Sequence, residues 1–136
     1  MEIHTANLNE TEMLLYHDRH ISEEELKNSI RLGRVYIIKE HGNFAGWLRY
    51  NLFWDNTPFM NMLYISKAYR NKGCGRQLLE FWESEMKQKG FKEVMTSTQS
   101  DELAQHFYVH CGYEAVGGFR LNGDPYELIF SKRIDD

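Results

Sequence analysis

The sequence has little cysteine and little proline, with two of each in 136 residues. Two cysteines, Cys74 and Cys111, are too few for a disulfide framework or a four-cysteine zinc site, so we interpret both as free thiols. No apolar run approaches the roughly 18 residues of a membrane span, and the first residues lack the basic-then-apolar pattern of a secretory signal. These absences predict a cytoplasmic protein that does not associate with membranes.

An excess of basic charge is also missing. The 16 Lys and Arg residues are outnumbered by 20 Asp and Glu residues, which gives a formal net charge of −4. A broad basic face for nucleic acid is therefore not expected. The hydrophobic fraction of 42% and the 8 Phe, 8 Tyr and 3 Trp residues supply ample material for a core. At this length we expect one domain over residues 1–136.

Caps, turns and apolar periodicity predict the elements of the fold. Capping-box spacings at Asn9–Glu12 and Ser22–Glu25 indicate two short helices before Gly33, and apolar residues at helical spacing indicate a helix over 75–90. A second apolar stripe predicts a helix over 101–111, with Leu103, Ala104, Phe107, Tyr108 and Cys111 facing inward. Runs rich in β-branched and aromatic residues predict an opening strand and further strands over 34–40, 44–54, 59–65, 93–98, 113–121 and 126–132.

Together these elements predict an α/β fold with a mixed, mostly antiparallel sheet. About seven strands and about four helices are expected, since hairpins join several of the strands and helices alternate with the others.

One ten-residue segment concentrates basic charge where a strand leads into a helix. Residues 67–76 contain Lys67, Arg70, Lys72 and Arg76 and no acidic residue. Within it, the run Arg70-Asn71-Lys72-Gly73-Cys74-Gly75 places glycines and backbone N–H groups at the positive end of a helix, which favours a bound phosphate. The segment lacks the Gly-Lys-Ser/Thr of a nucleoside triphosphatase loop, and Leu78 stands where a dinucleotide fingerprint needs glycine. A glycine turn with solvated basic side chains is the alternative interpretation.

This segment and a second motif resemble the GNAT superfamily of N-acetyltransferases. The run from Leu63 to Leu79 is similar to the acyl-CoA signature Arg/Gln-x-x-Gly-x-Gly/Ala of that family. Downstream, Ala104-x-x-Phe107-Tyr108-x-x-x-Gly112-Tyr113 is similar to its later helix motif. The order of strands and helices matches across nearly the whole chain.

The resemblance implies acetyl-CoA as co-substrate and a primary amine, on a small molecule or a peptide, as acceptor. It implies that backbone N–H groups of the loop bind the pyrophosphate and that the preceding strand hydrogen-bonds the pantetheine arm and supplies an oxyanion donor. It further implies cofactor contacts around the later helix. The residues so implied are Leu63, Tyr64, Ile65, Arg70, Asn71, Lys72, Gly73, Cys74, Gly75, Arg76, Asp101, Ala104 and Phe107.

Tyr108 is implied as the catalytic acid, because the tyrosine at this position of the family motif points at the CoA sulfur. A phenol with a pKa near 10 is protonated at neutral pH and can hydrogen-bond or protonate a thiolate. A core aromatic residue is the alternative. No general base is assigned, since the strand before Leu63 has Asn61 and no carboxylate, while Asp55 and the acids Glu23–Glu25 are open candidates. Asp101 stands where the family often has a donor Asn.

The sequence gives little indication of a metal site. His106 and His110 have the i, i+4 spacing of a helical metal pair, but they lie opposite the apolar stripe, so we predict no metal. We therefore predict an N-acetyltransferase that acts by direct amine attack. A non-catalytic acyl-CoA-binding regulatory or partner-binding domain is the alternative, an enzyme acting on a protein terminus or lysine is a further one, and a homodimer is left open.

Overall fold

The computed structural model describes residues 1–135, whose seven strands form one mixed sheet accompanied by four α-helices. The strands are β1 (Glu2–Thr5), β2 (Val35–Glu40), β3 (Asn43–Phe53), β4 (Thr57–Ile65), β5 (Glu93–Gln99), β6 (Glu114–Phe119) and β7 (Glu127–Arg133). The α-helices are α1 (Thr11–His17), α2 (Glu23–Arg31), α3 (Cys74–Gln88) and α4 (Ala104–His110), with short 3-10 helices at Leu8–Glu10 and Lys67–Tyr69.

The sheet has the order β1-β2-β3-β4-β5-β7-β6. Strands β1, β2 and β3 pair antiparallel in that order, and so do β5, β7 and β6. The pairing of β4 with β5 is parallel, with Phe59 opposite Met95 and Met60 opposite Thr96. The predicted mixed, mostly antiparallel sheet is therefore confirmed.

The capping residues predicted for the first helix, Asn9 and Glu12, are wrong. Helix α1 begins at Thr11, and the acid that caps the preceding 3-10 turn is Glu10, which accepts a hydrogen bond from the backbone N–H of Asn7 at 3.1 Å. The capping spacing is thus two residues earlier than the predicted Asn9–Glu12. The second helix follows its prediction, since Ser22 accepts from the Glu25 N–H and Gly33 has a left-handed φ of 73°.

The last helix is shorter than predicted. Helix α4 begins at Ala104, so Leu103 precedes it and is 82% exposed instead of facing inward. The gap between the predicted strands over 44–54 and 59–65 is also shifted, because the turn covers residues 54–56 and Pro58 is the second residue of β4. A proline is tolerated near the start of a strand, where fewer ladder hydrogen bonds depend on its missing N–H.

By its internal packing the chain divides into two compact units. The N-terminal unit comprises Met1–Asn51 and Met62–Leu79, and the C-terminal unit comprises Leu52–Asn61 and the described residues from Glu80 onward. The N-terminal unit has an apolar core that α1 and α2 share with the strands. Its buried members are Ala6, Leu14, Leu26, Ile30, Val35, Ile37 and Trp47.

A buried ion pair fixes the segment after α1 in the N-terminal unit. Asp18 accepts hydrogen bonds from the Arg49 Nε at 2.7 Å and from the Trp47 Nε1 at 3.1 Å. The backbone N–H of His20 donates to the same carboxylate at 3.1 Å. Burial alone would raise the pKa of Asp18, but the Arg49 guanidinium and the other donors outweigh it and hold that pKa below its ordinary value.

Aromatic rings form a continuous stack in the same unit. The His17 imidazole lies on Phe44 with ring centroids 4.4 Å apart, and Phe44 is 5.9 Å from Trp47. Trp47 in turn lies 4.9 Å from the Tyr64 ring. The stack therefore runs from the end of α1 to the end of strand β4.

The C-terminal unit contains a second buried polar group. The Tyr113 hydroxyl donates to Glu83 at 2.7 Å, and the Lys132 ammonium donates to the other oxygen of Glu83 at 3.0 Å. Lys132 also donates to the Cys111 carbonyl at 2.9 Å. This group links α3, the end of α4 and β7 within the unit. Among residues 1–135, no helix combines the length and apolar character that spanning a membrane requires.

Candidate active site

The end of strand β4 is held tightly against β3 in the N-terminal unit. The Ser66 N–H donates to the Ala45 carbonyl at 2.7 Å, and a Cβ added at Gly46 would overlap the Tyr64 carbonyl oxygen. Only glycine lets the two backbones approach this closely. The implied pantetheine-binding residues Leu63, Tyr64 and Ile65 therefore lie on a firmly fixed strand end.

Left-handed backbone conformations occur at two positions of the basic loop. Asn71 and Gly73 both have left-handed φ values, 62° and 84°, on either side of Lys72. Such alternation turns successive N–H groups toward a common concavity. Helix α3 begins at Cys74, and its first-turn N–H groups have no intrahelical acceptor, so they add to the positive end of the helix.

The basic side chains of the loop differ in how they are held. The Arg70 Nε donates to the Ile65 carbonyl at 2.9 Å, and the Arg70 guanidinium carbon lies 5.2 Å from the centre of the Tyr64 ring. The Lys72 ammonium lies 5.9 Å from the Tyr69 ring. The side chains of Lys67 and Arg76 are exposed. The predicted cluster of positive charge is thus present along one short segment.

Cys74 contributes a buried thiol below this loop. It is 1% exposed and its Sγ lies 3.9 Å from a carboxylate oxygen of Glu40. Burial first, and then the negative charge of Glu40, raise the pKa of the thiol. Cys74 is therefore held as a neutral thiol, in agreement with the free thiol predicted from the sequence.

Tyr108 lies in the C-terminal unit on helix α4 and is 7% exposed. Its ring contacts the rings of Phe107, Tyr113 and Phe130, with centroids 5.5 to 6.0 Å apart. Burial raises the pKa of Tyr108 to about 12, although a hydrogen bond with Thr96 opposes this shift. The hydroxyl therefore keeps its proton throughout the physiological pH range.

Thr96 is a partner of Tyr108 that the sequence motifs do not indicate. Thr96 is 1% exposed on β5, and its hydroxyl donates to the Met60 carbonyl at 3.0 Å. Thr96 also shares a side-chain hydrogen bond with the Tyr108 hydroxyl. The sequence feature that could have indicated Thr96 is the alternation of Val94, Thr96 and Thr98 along β5, which places two hydroxyl side chains at buried positions.

The other implied residues of this region lie in α4 and in the turn before it. Ala104 and Phe107 lie on the helix and are partly buried, whereas Asp101 lies in the preceding turn and is exposed. Asp101 is therefore outside the helix in which it was predicted. His106 and His110 are exposed, and no group of three or more His, Cys, Asp or Glu side chains gathers within residues 1–135.

The open candidates for a base are all at the surface. Asp55 lies in the β3–β4 turn with a φ of 64°, and Glu23 forms an exposed ion pair with Lys27 at 2.8 Å. Asn61, within β4, is exposed as well. The structure places these residues without singling out one of them.

The sequence profile described as the acetyltransferase (GNAT) family matches residues 2–113 of the chain. The chain belongs to the GNAT acetyltransferase family. The match includes both sequence motifs, from the β4 loop to the tyrosine-containing helix. The resemblance inferred from residues 63–79 and 104–113 is thereby confirmed.

A named relative and two solved structures are similar to this GNAT chain. Probable N-acetyltransferase 14 from Xenopus tropicalis is 32% identical over 79 residues, which are 57% of this chain and 38% of that protein. A GNAT-family acetyltransferase from Bacillus cereus superposes with a TM-score of 0.79 at 24% identity, covering 97% of this chain and 96% of the other.

The second solved structure is the PaiA N-acetyltransferase of Thermoplasma acidophilum in complex with coenzyme A. It superposes with a TM-score of 0.78 at 19% identity, covering 97% of this chain and 98% of that one. At such low identity, the two structures show that the GNAT fold is shared.

Proposed function

We propose that this GNAT protein transfers an acetyl group from acetyl-CoA to a primary amine by direct attack on the thioester. The observation that carries the proposal is the loop before α3, where Asn71 and Gly73 adopt left-handed conformations beside the basic side chains. A loop of this shape at a helix N-terminus binds a pyrophosphate through backbone N–H groups. Family membership supports acetyl transfer as the chemistry.

We assign the parts of acetyl-CoA to the predicted residues as follows. The pyrophosphate is bound by the segment from Arg70 to Arg76, which includes Asn71, Lys72, Gly73, Cys74 and Gly75. The backbone of Leu63, Tyr64 and Ile65 is assigned to hydrogen bonds with the pantetheine arm. Asp101, Ala104 and Phe107 are assigned as further cofactor contacts.

Tyr108 is assigned to the departing sulfur. The amine nitrogen attacks the thioester carbonyl carbon, the carbon–sulfur bond breaks, and negative charge develops on the sulfur while the amine loses a proton to water or to a base. A thiol has a pKa near 8.5, roughly 3.5 pKa units below that of the Tyr108 hydroxyl. Complete proton transfer is therefore uphill, so Tyr108 acts mainly by donating a hydrogen bond to the developing thiolate.

The loop assignment is tested by Gly73→Glu, with acetyl-CoA affinity measured by calorimetry. Bulk and negative charge at the pyrophosphate should weaken binding by about tenfold or more. Gly42→Glu is the matched control, because Gly42 has a similar φ of 78° and, like Gly73, has no atom within 4 Å of an added Cβ. Equal affinities for the two variants would contradict the assignment.

The role of Tyr108 is tested by Tyr108→Phe. We expect turnover to fall by about 10²-fold while the dissociation constant of CoA changes little, since the lost interaction belongs to the transition state. Tyr16→Phe, at a position 72% exposed, is the control for general effects of hydroxyl removal. Turnover at the level of the unaltered protein would make Tyr108 a structural residue.

The acceptor class is identified by thiol release from acetyl-CoA against polyamines, amino acids, aminoglycosides and peptides. Turnover with any of them establishes the enzyme, and a preference for peptides would favour a protein terminus or lysine as acceptor. Tight CoA binding without turnover across the panel would favour a non-catalytic acyl-CoA-binding domain. Absence of CoA binding would refute the proposed function.

A further inference from the structure

Arg70, at the start of the basic loop, is held by two contacts of its side chain. Its Nε–H donates to the Ile65 carbonyl at 2.9 Å, and its guanidinium lies over the Tyr64 ring at 5.2 Å. Both contacts point back to the end of β4, five and six residues earlier in the chain. The side chain thus forms a bridge across the base of the loop.

The strand end that Arg70 contacts is itself firmly fixed. The Tyr64 ring packs on Trp47 at 4.9 Å, and Trp47 is 2% exposed, with its Nε1 bonded to Asp18. The backbone of β4 at this point lies directly against Gly46. Arg70 is therefore tied to a part of the N-terminal unit that has little freedom to move.

The loop on the other side of Arg70 has few constraints of its own. Residues 70–73 are all exposed, and Asn71, the next residue, has a left-handed φ of 62°, which outside glycine is adopted mainly by Asn, Asp and His. An exposed segment with little packing samples many conformations unless something holds it. A bridge at Arg70 restricts the segment at its first residue.

We propose that Tyr64 and Arg70 form a positioning pair that holds the loop in its anion-binding conformation before a ligand arrives. In this proposal, which rests on the proposed function, the Arg70 charge is directed to Tyr64 and Ile65 and does not neutralise the CoA phosphates. Lys72 supplies that neutralising charge. Its ammonium has three donors and lies 5.9 Å from the Tyr69 ring, farther than the Arg70 guanidinium lies from the Tyr64 ring. Arg70 thereby contributes to affinity by ordering backbone N–H groups.

The ordering is tested first on the free protein by hydrogen exchange of peptides that cover residues 66–76. Tyr64→Leu and Arg70→Met should each speed exchange in this segment, whereas Lys72→Met should leave it unchanged. Tyr64→Phe keeps the ring and should exchange like the unaltered protein. If Tyr64→Leu or Arg70→Met does not fold, Arg70→Lys is the substitute, since an ammonium cannot make both contacts of the guanidinium and should also speed exchange.

The charge assignment is tested by calorimetric CoA affinity over a range of NaCl concentrations. Arg70→Met and Lys72→Met each remove one positive charge, but only Lys72→Met should make the affinity less dependent on salt. Tyr64→Leu should weaken CoA binding roughly two- to fivefold, as expected for a cation–π contact at an exposed site. The double variant Tyr64→Leu/Arg70→Met should bind no more weakly than Arg70→Met alone, because the two residues act as one unit.

Two results would overturn the proposal. One is a loss of salt dependence in Arg70→Met as large as that in Lys72→Met, and the other is unchanged exchange in both Tyr64→Leu and Arg70→Met. If the unaltered protein fails to bind CoA, the proposed function is refuted, while the exchange comparison still decides whether Tyr64 and Arg70 order the loop.

Discussion

Asp18→Asn should strongly destabilise the protein at neutral pH. The substitution keeps the shape of the side chain but removes the charge that compensates Arg49, and the two side chains are only 1% and 9% exposed. Breaking such a buried pair from one side typically costs about 3 to 5 kcal/mol, because a charge is left buried without its partner. One acceptor oxygen remains for Trp47 or Arg49, so we place the loss of unfolding free energy near the lower end, at about 3 kcal/mol.

The assay is urea denaturation at pH 7, followed by circular dichroism and tryptophan fluorescence, with a comparison of midpoints and slopes. Asp124→Asn, in an exposed turn, is the control for charge removal alone. The double variant Asp18→Asn/Arg49→Met should recover much of the loss, since it leaves no uncompensated charge. A loss below about 1 kcal/mol, or a double variant no more stable than Asp18→Asn, would refute this reasoning.

The same pair predicts a pH dependence with a definite sign. Because the pKa of Asp18 is lowered in the folded protein, its contribution is complete above the unfolded-state pKa of about 3.9 and is lost as pH falls through the folded-state value. The stability advantage over Asp18→Asn should therefore be constant from pH 5 to pH 7 and shrink below pH 4. An advantage that persists undiminished into strong acid would contradict the lowered pKa.

Three further outcomes are expected. Gly46→Ala should destabilise the fold by about 1 to 3 kcal/mol in urea denaturation, because its Cβ meets backbone, whereas Gly117→Ala, with open space around the added Cβ, should not. Tyr113→Phe should cost about 1.5 to 3 kcal/mol in the same assay, because buried Glu83 loses a donor. Because burial raises the pKa of Tyr108 to about 12, ionisation of Tyr108 should not lower turnover below about pH 11.

Much of the fold could be predicted from local patterns. The inward residues Leu78, Leu79, Trp82 and Met86 of α3 are all 0% exposed, as their helical spacing indicated. The same periodicity predicted that Leu103 faces inward, but Leu103 is exposed. An apolar residue at the edge of a periodic pattern is equally compatible with the turn that precedes the helix. Helix ends depend on which residue caps the first turn, and near-equivalent caps compete over a few residues.

The candidate site was predictable where one segment carries it and not where distant segments meet. The loop from Arg70 to Arg76 was found because glycine, charge and position are adjacent in sequence. The contacts of Arg70 with Tyr64 and Ile65, and of Tyr108 with Thr96, depend on side-chain directions that only the folded backbone sets. Neither the composition nor the residue spacing of the sequence predicts those side-chain directions.

The ring stack described for the N-terminal unit also gives the protein an optical reporter. Trp47 is buried and lies against Tyr64, which in turn lies beneath Arg70, whereas Trp54 is 78% exposed at a turn. Loss of the Arg70 contact, as in Arg70→Met, would alter the surroundings of Tyr64 and so the emission of its indole neighbour. With Trp54→Phe to remove the solvent-exposed background, the state of the Tyr64–Arg70 contact could be followed by intrinsic fluorescence without a label.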